Sequence, residues 1–167
     1  MPANPLIDAH VHLWDPNWLR IPWLDNIDLL NRRYALDEYR VQTAGINVEA
    51  FVYVQVDAEP AYGLLEAGWV AARAQEEPRL QAIVAWAPVE YGPRIRAYLD
   101  ALVRIDPRIK GVRRLLQGEA DPHFCLQPDF IRGVQMLAEY NLSFDLCIYH
   151  PQLASIIELV RQCPDVS

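Results

Sequence analysis

Leu6-Ile7-Asp8-Ala9-His10-Val11-His12-Leu13-Trp14 is the stretch whose reading decides the fold. In an extended segment side chains alternate faces, so Asp8, His10 and His12 point one way while Ile7, Ala9, Val11 and Leu13 point the other. Two imidazoles two residues apart on one strand face can grip a single divalent cation, because neutral imidazole nitrogen is a preferred ligand for zinc and related metals. The competing reading makes each His a hydrogen-bonded core residue. A pair of them, with an Asp on the same face of an apolar strand, favours the metal.

Working outward, the same pattern recurs along the chain: an apolar strand, a loop, an amphipathic helix. Further strands are expected at Ala50–Asp57, Leu80–Ala87, Lys110–Gln117 and Ser143–His150. Helical spacing places Leu64, Leu65, Trp69 and Ala72 on one side of Ala61–Gln75, and Ile95, Tyr98, Leu99 and Leu102 on one side of Pro93–Val103. Pro128–Tyr140 carries Ile131, Val134, Gln135 and Ala138, with Phe130 and Leu137 beside them, and Pro151–Gln162 carries Leu153, Ile156, Ile157 and Val160. A weaker helix, about Leu36–Ala44, ends at Gly45. Val-, Ile- and Leu-rich strands alternating with helices read as an α/β fold with parallel strands and right-handed crossovers. No linker or low-complexity run interrupts it, so residues 1–167 are expected to form a single domain.

Two architectures use this alternation, the open doubly wound sheet and the closed (β/α)8 barrel of the TIM type. Nothing like G-x-G-x-x-G follows the first strand, and a chain with 7 Gly in all offers no phosphate-cradling loop. The first strand instead carries metal-type ligands near its C-terminal end, where barrels place catalytic groups. Polar residues stand near the same end of later strands: Gln55 and Asp57, Arg113 and Gln117, Tyr149 and His150. The barrel is therefore the expected fold, with about five βα units present where closure takes eight.

Composition narrows the function classes. The chain is 52% hydrophobic, with a net charge of −7 and 15 scattered Lys and Arg, which disfavours nucleic acid or an anionic membrane as partner. No apolar run approaches the roughly 20 residues of a membrane span. Met1-Pro2-Ala3-Asn4-Pro5 lacks a basic region followed by an apolar stretch, so no signal peptide is expected. The 3 Cys show no C-x-x-C spacing and read as reduced thiols of a cytoplasmic protein. The connection Asp15–Tyr34 is long for a compact domain and holds Trp18 and Trp23, whose flat faces suit a sugar-like ring or else plug the barrel mouth.

The opening Ile7-Asp8-Ala9-His10-Val11-His12-Leu13-Trp14-Asp15 resembles that of the amidohydrolase superfamily, in the branch of metal-dependent TIM-barrel hydrolases that includes sugar-lactone hydrolases and 2-pyrone-4,6-dicarboxylate lactonases. Val52–Asp57, Lys110–Gln117 and Phe144–Leu153 are similar to the sugar-lactonase group. The resemblance implies hydrolysis of a small lactone or carboxylated ring. His10 and His12 would be metal ligands or direct carbonyl-side donors. Arg113 or Arg114 would bind substrate oxygens, and the family motif favours Arg113. Gln55 would add a neutral hydrogen bond. The implied cofactor is a divalent metal, zinc first, bound weakly or not at all by a chain offering two imidazoles.

The same resemblance implies a further His on a sixth strand and an Asp on an eighth, beyond Ser167, with the Asp as base. The chain is thus expected to be the N-terminal part of such a barrel and inactive alone. Neither His150 nor His123 is expected to stand in for the sixth-strand His. Two other readings stay open: a decarboxylase or amide hydrolase of the same superfamily, and a non-catalytic truncated barrel whose bare strand edges form a homo-oligomer.

Overall fold

The computed structural model describes residues 4–167, in which five strands alternate with five α helices: β1 Leu6–Val11, α1 Leu36–Gln42, β2 Val48–Val54, α2 Gly63–Glu76, β3 Leu80–Ala85, α3 Arg96–Val103, β4 Ile109–Arg113, α4 Pro128–Met136, β5 Ser143–Asp145 and α5 Leu153–Gln162. They form two compact units, one ending at Ala85 and one beginning at Trp86. The leader reading of Met1, Pro2 and Ala3 lies outside the described residues.

In the first unit β2 lies between β1 and β3, parallel to both. Phe51, Tyr53 and Val54 of β2 are buried, as are Leu80 and Ile83 of β3. β1 differs from expectation. Only its last residue is buried, and Leu6 and Ile7 are 46% and 66% exposed. Its register against β2 shifts between Asp8 and Val11. The strand also ends at Val11 rather than Trp14, because Trp14 exchanges both backbone hydrogen bonds with Tyr34, at 2.7 and 2.9 Å, in an isolated antiparallel bridge. That bridge closes the base of the long loop, which contains a 3-10 turn at Pro22–Asn26. β2 similarly stops at Val54, short of Asp57, whose φ of 57° turns the chain into the left-handed region.

The α2 face also differs from the expected stripe. Gly63, Glu66, Ala67, Val70 and Ala74 are among its buried residues, whereas Leu65 is 46% exposed and Ala72 faces solvent. Trp69 is buried as expected, so the face is shifted rather than replaced.

In the second unit β4 and β5 pair in parallel, Gly111 with Ser143 through Arg113 with Asp145. Val134 is buried as expected, with Phe130 and Leu137 beside it. Ile131 and Ala138 are only half-buried and Gln135 is exposed, so the buried face of α4 is shifted toward Phe130, Gly133 and Met136. Asn141, at φ 54°, ends the turn after α4, and Leu142 N–H returns to Leu137 O at 3.1 Å. The α5 stripe is corrected in phase: Ser155, Ile156 and Leu159 are buried, while Leu153, Ile157 and Val160 are 54%, 46% and 52% exposed. β5 spans three residues rather than eight, and Leu146 just beyond it is 41% exposed. No helix among the described residues is long and apolar enough to cross a membrane.

Candidate metal centre

His10 and His12 converge at the end of β1. Their Nε2 atoms stand 3.1 Å apart and their rings meet edge to face at 84°. In a tetrahedral zinc sphere with bonds of about 2.0–2.1 Å, two ligand nitrogens lie about 3.3 Å apart. The observed separation is that of an N–H···N hydrogen bond, and it lies close to the spacing two ligands take on one ion. His12 Nδ1 lies 2.7 Å from Val54 O. A carbonyl only accepts, so this contact places the proton on Nδ1 and leaves the lone pair on Nε2, the tautomer a metal ligand needs.

Asp8 does not join the pair. Its Oδ1 accepts the backbone N–H of His10 at 3.4 Å, and its Oδ2 accepts the Tyr39 hydroxyl at 3.2 Å. Burial and the Asp8 carboxylate push the Tyr39 phenol up to about 12. The shared face predicted for Asp8, His10 and His12 thus holds for the imidazoles alone, because the shift in register turns Asp8 toward α1. Among the described residues no group of three or more His, Cys, Asp or Glu is arranged to hold an ion. The pair fits half of a metal site.

The end of β2 completes this neighbourhood. Gln55 is fully buried, and its side-chain oxygen accepts the backbone N–H of Asp57. Trp23, 38% exposed, donates its indole N–H to Val56 O at 2.7 Å and packs edge-on against Trp14, 5.9 Å between centroids. Trp18 is 59% exposed. Trp14 is itself buried against Tyr34 and donates to Leu30 O at 3.2 Å. Glu66, absent from the sequence-based candidates, accepts both Tyr53 OH and Val56 N–H on Oε1 at 2.8 Å. Its signal was present: a carboxylate standing on the small-residue stripe of α2.

In the second unit the two arginines separate. Arg114 reaches Glu90 at 3.0 Å and Glu119 at 2.7 Å, and lies 5.5 Å from the Phe124 ring. Burial works against its charge, but the two carboxylates outweigh that and hold the guanidinium above its ordinary range. Arg113, at the end of β4, is 7% exposed. His123 Nδ1 lies 2.9 Å from Ser155 Oγ on α5, and His150 is exposed in the turn before that helix.

A family model described as amidohydrolase matches residues 7–167. The chain belongs to the amidohydrolase family. The L-fucono-1,5-lactonase of Burkholderia multivorans is 26% identical over 155 residues, covering 90% of this amidohydrolase chain and 49% of the lactonase. Amidohydrolase 2 from Bifidobacterium longum subsp. infantis superposes with a TM-score of 0.74 at 28% identity, covering 98% of this chain and 59% of that one. A Burkholderia multivorans amidohydrolase crystallised with bound zinc gives a TM-score of 0.80 at 25% identity, covering 95% and 54%. This amidohydrolase chain thus spans 49–59% of the length of these relatives. Its fold is the (β/α)8 TIM-barrel type, represented by five strands and their helices, and its family is one of hydrolases.

Proposed function

We propose that the protein carrying this chain hydrolyses the ester bond of a sugar-acid lactone or a similar small carboxylated ring, with a divalent ion, zinc first, on His10 and His12. The observation that carries this reading is the convergence of two Nε2 atoms at 3.1 Å, one of them fixed in the ligating tautomer by Val54 O. The likeness to a lactonase and to a zinc-bound amidohydrolase supports it.

Hydrolysis adds water to the ring carbonyl carbon and breaks its bond to the ring oxygen. The products are a hydroxyl and a carboxylic acid, which releases one proton at neutral pH. When bound, the ion would supply charge stabilisation for the developing oxyanion. His10 and His12 present their nitrogens for it. His12 does so without reorganising, since its other nitrogen is already bonded. We assign recognition of substrate carboxylate or polyol oxygens to Arg113, whose planar guanidinium suits them and which the resemblance favours over Arg114. Trp23, pinned through its indole N–H, and the exposed Trp18 are the aromatic faces for the ring. Gln55 holds the turn at Asp57 and would add a neutral hydrogen bond to the substrate.

A pH-indicator assay on 1,5-lactones of sugar acids, using the whole protein that carries these residues, tests the reading. Lactone-dependent proton release is expected, reduced about 100-fold or more in His12→Ala, within the range for losing an electrostatic stabiliser of the transition state. Equal rates for wild type and His12→Ala would overturn it.

A further inference from the structure

Three residues at the end of β2 have backbone groups taken by side chains. Val54 O accepts His12 Nδ1–H at 2.7 Å, Val56 O accepts Trp23 Nε1–H at 2.7 Å, and Asp57 N–H donates to Gln55. The fourth of these contacts is Val56 N–H, which donates to Glu66 Oε1 at 2.8 Å. The same oxygen takes the Tyr53 hydroxyl at 2.8 Å, and that hydroxyl lies 3.3 Å from Leu13 O, one residue beyond His12. One carboxylate oxygen thus stands between the segment that carries His12 and the segment that carries its acceptor.

Glu66 is 2% exposed. A buried carboxylate is costly to desolvate, and an apolar residue of similar volume would serve packing as well. What an apolar residue could not do is hold Val56 N–H and Tyr53 OH at once.

We propose that Glu66 is a positioning residue for the imidazole pair. By fixing both ends of the Tyr53–Val56 segment it sets the direction of Val54 O, which keeps the His12 proton on Nδ1 and its lone pair facing His10. The consequence for metal rests on the function proposed above; the consequence for the His12 proton does not.

The test uses the metal-free 167-residue chain near pH 8, where an ordinary imidazole is neutral. Long-range proton–nitrogen spectra of the imidazoles read the His12 tautomer, and a zinc titration reads affinity. Glu66→Gln keeps the length and loses the charge; Glu66→Asp keeps the charge and is one methylene shorter. Glu66→Gln is expected to keep the Nδ1–H tautomer and the wild-type zinc affinity. Glu66→Asp is expected to give mixed tautomers and about a 10-fold weaker zinc affinity, the low end for losing a group that orients a metal ligand. Should Glu66→Asp not fold, Tyr53→Phe removes one of the two donors and is expected to shift the tautomer the same way.

An unchanged His12 signal in the folded Asp or Phe variant overturns the proposal, as does a Gln variant that loses the tautomer along with Asp. Loss of the tautomer in Glu66→Asp by a chain that binds no zinc at all upholds the positioning role and refutes the metal reading alone.

Discussion

Glu77 shows what a single side chain contributes to this fold. It sits between α2 and β3, 6% exposed at the side chain, and receives Arg79 through contacts of 2.8 and 2.9 Å and Arg40 at 2.9 Å. Arg79 first, then Arg40 against the cost of burial, bring its carboxyl from 4.5 down to about 2. A depressed carboxylate contributes stability that is full above its unfolded value and disappears as pH falls from 4.5 toward about 2. A shift of this size is on the order of 3 kcal/mol. Glu77→Gln should therefore be less stable at neutral pH and show a flatter stability profile through that acid window. Urea denaturation at a series of pH values reads this, and parallel profiles for the two proteins would contradict it. The imidazole pair was legible in the sequence because a two-residue spacing on a strand is local information. The roles of Glu66 and Tyr53 were not, since they depend on where α2 lands against β2, which no spacing states. The ion pairs of Arg114 were equally out of reach, since Glu90 and Glu119 stand 24 and 5 positions away from it.

Between elements, the tightest approach involves α4. A Cβ built on Gly133 would lie 1.8 Å from Val89 O, a backbone atom that cannot swing aside. Gly133→Ala must therefore push α4 off the Val89–Ile95 turn, costing about 1–3 kcal/mol or more. A lowered thermal midpoint is expected; an unchanged one would mean the helix is free to shift. All five strands and all five helices were legible from hydrophobic alternation, yet their ends were not. Apolar residues continue past β1 and β2, but β1 gives way to the Trp14–Tyr34 bridge, and β2 stops at Val54, whose carbonyl the His12 side chain takes, ahead of left-handed Asp57. Helix phase was the larger difference. In α2 the buried face takes in Gly63, Ala67 and Val70 along with the expected Trp69, and in α5 Ser155 and Leu159 along with the expected Ile156, while Leu65, Leu153 and Ile157 face outward. A pattern scored on hydrophobicity alone favours the larger side chains.

For the whole molecule, the βα alternation pointed to a barrel, the opening together with Val52–Asp57, Lys110–Gln117 and Phe144–Leu153 resembled the amidohydrolase superfamily, and the match over residues 7–167 places the chain in that family. The chain spans 49–59% of the length of the lactonase and of the Bifidobacterium amidohydrolase, so its own residues carry one part of the proposed chemistry: two imidazoles aimed at one point. Two imidazoles fall short of the three or more protein ligands of an ordinary zinc site, so binding by the chain itself should be weak but specific. Calorimetric titration of zinc into the 167-residue chain and into its His10→Ala/His12→Ala form tests it most directly. Saturable uptake of a single ion by the wild-type chain and its loss in the double variant are expected; identical isotherms for the two, with or without heat, would mean that the imidazole pair binds no ion.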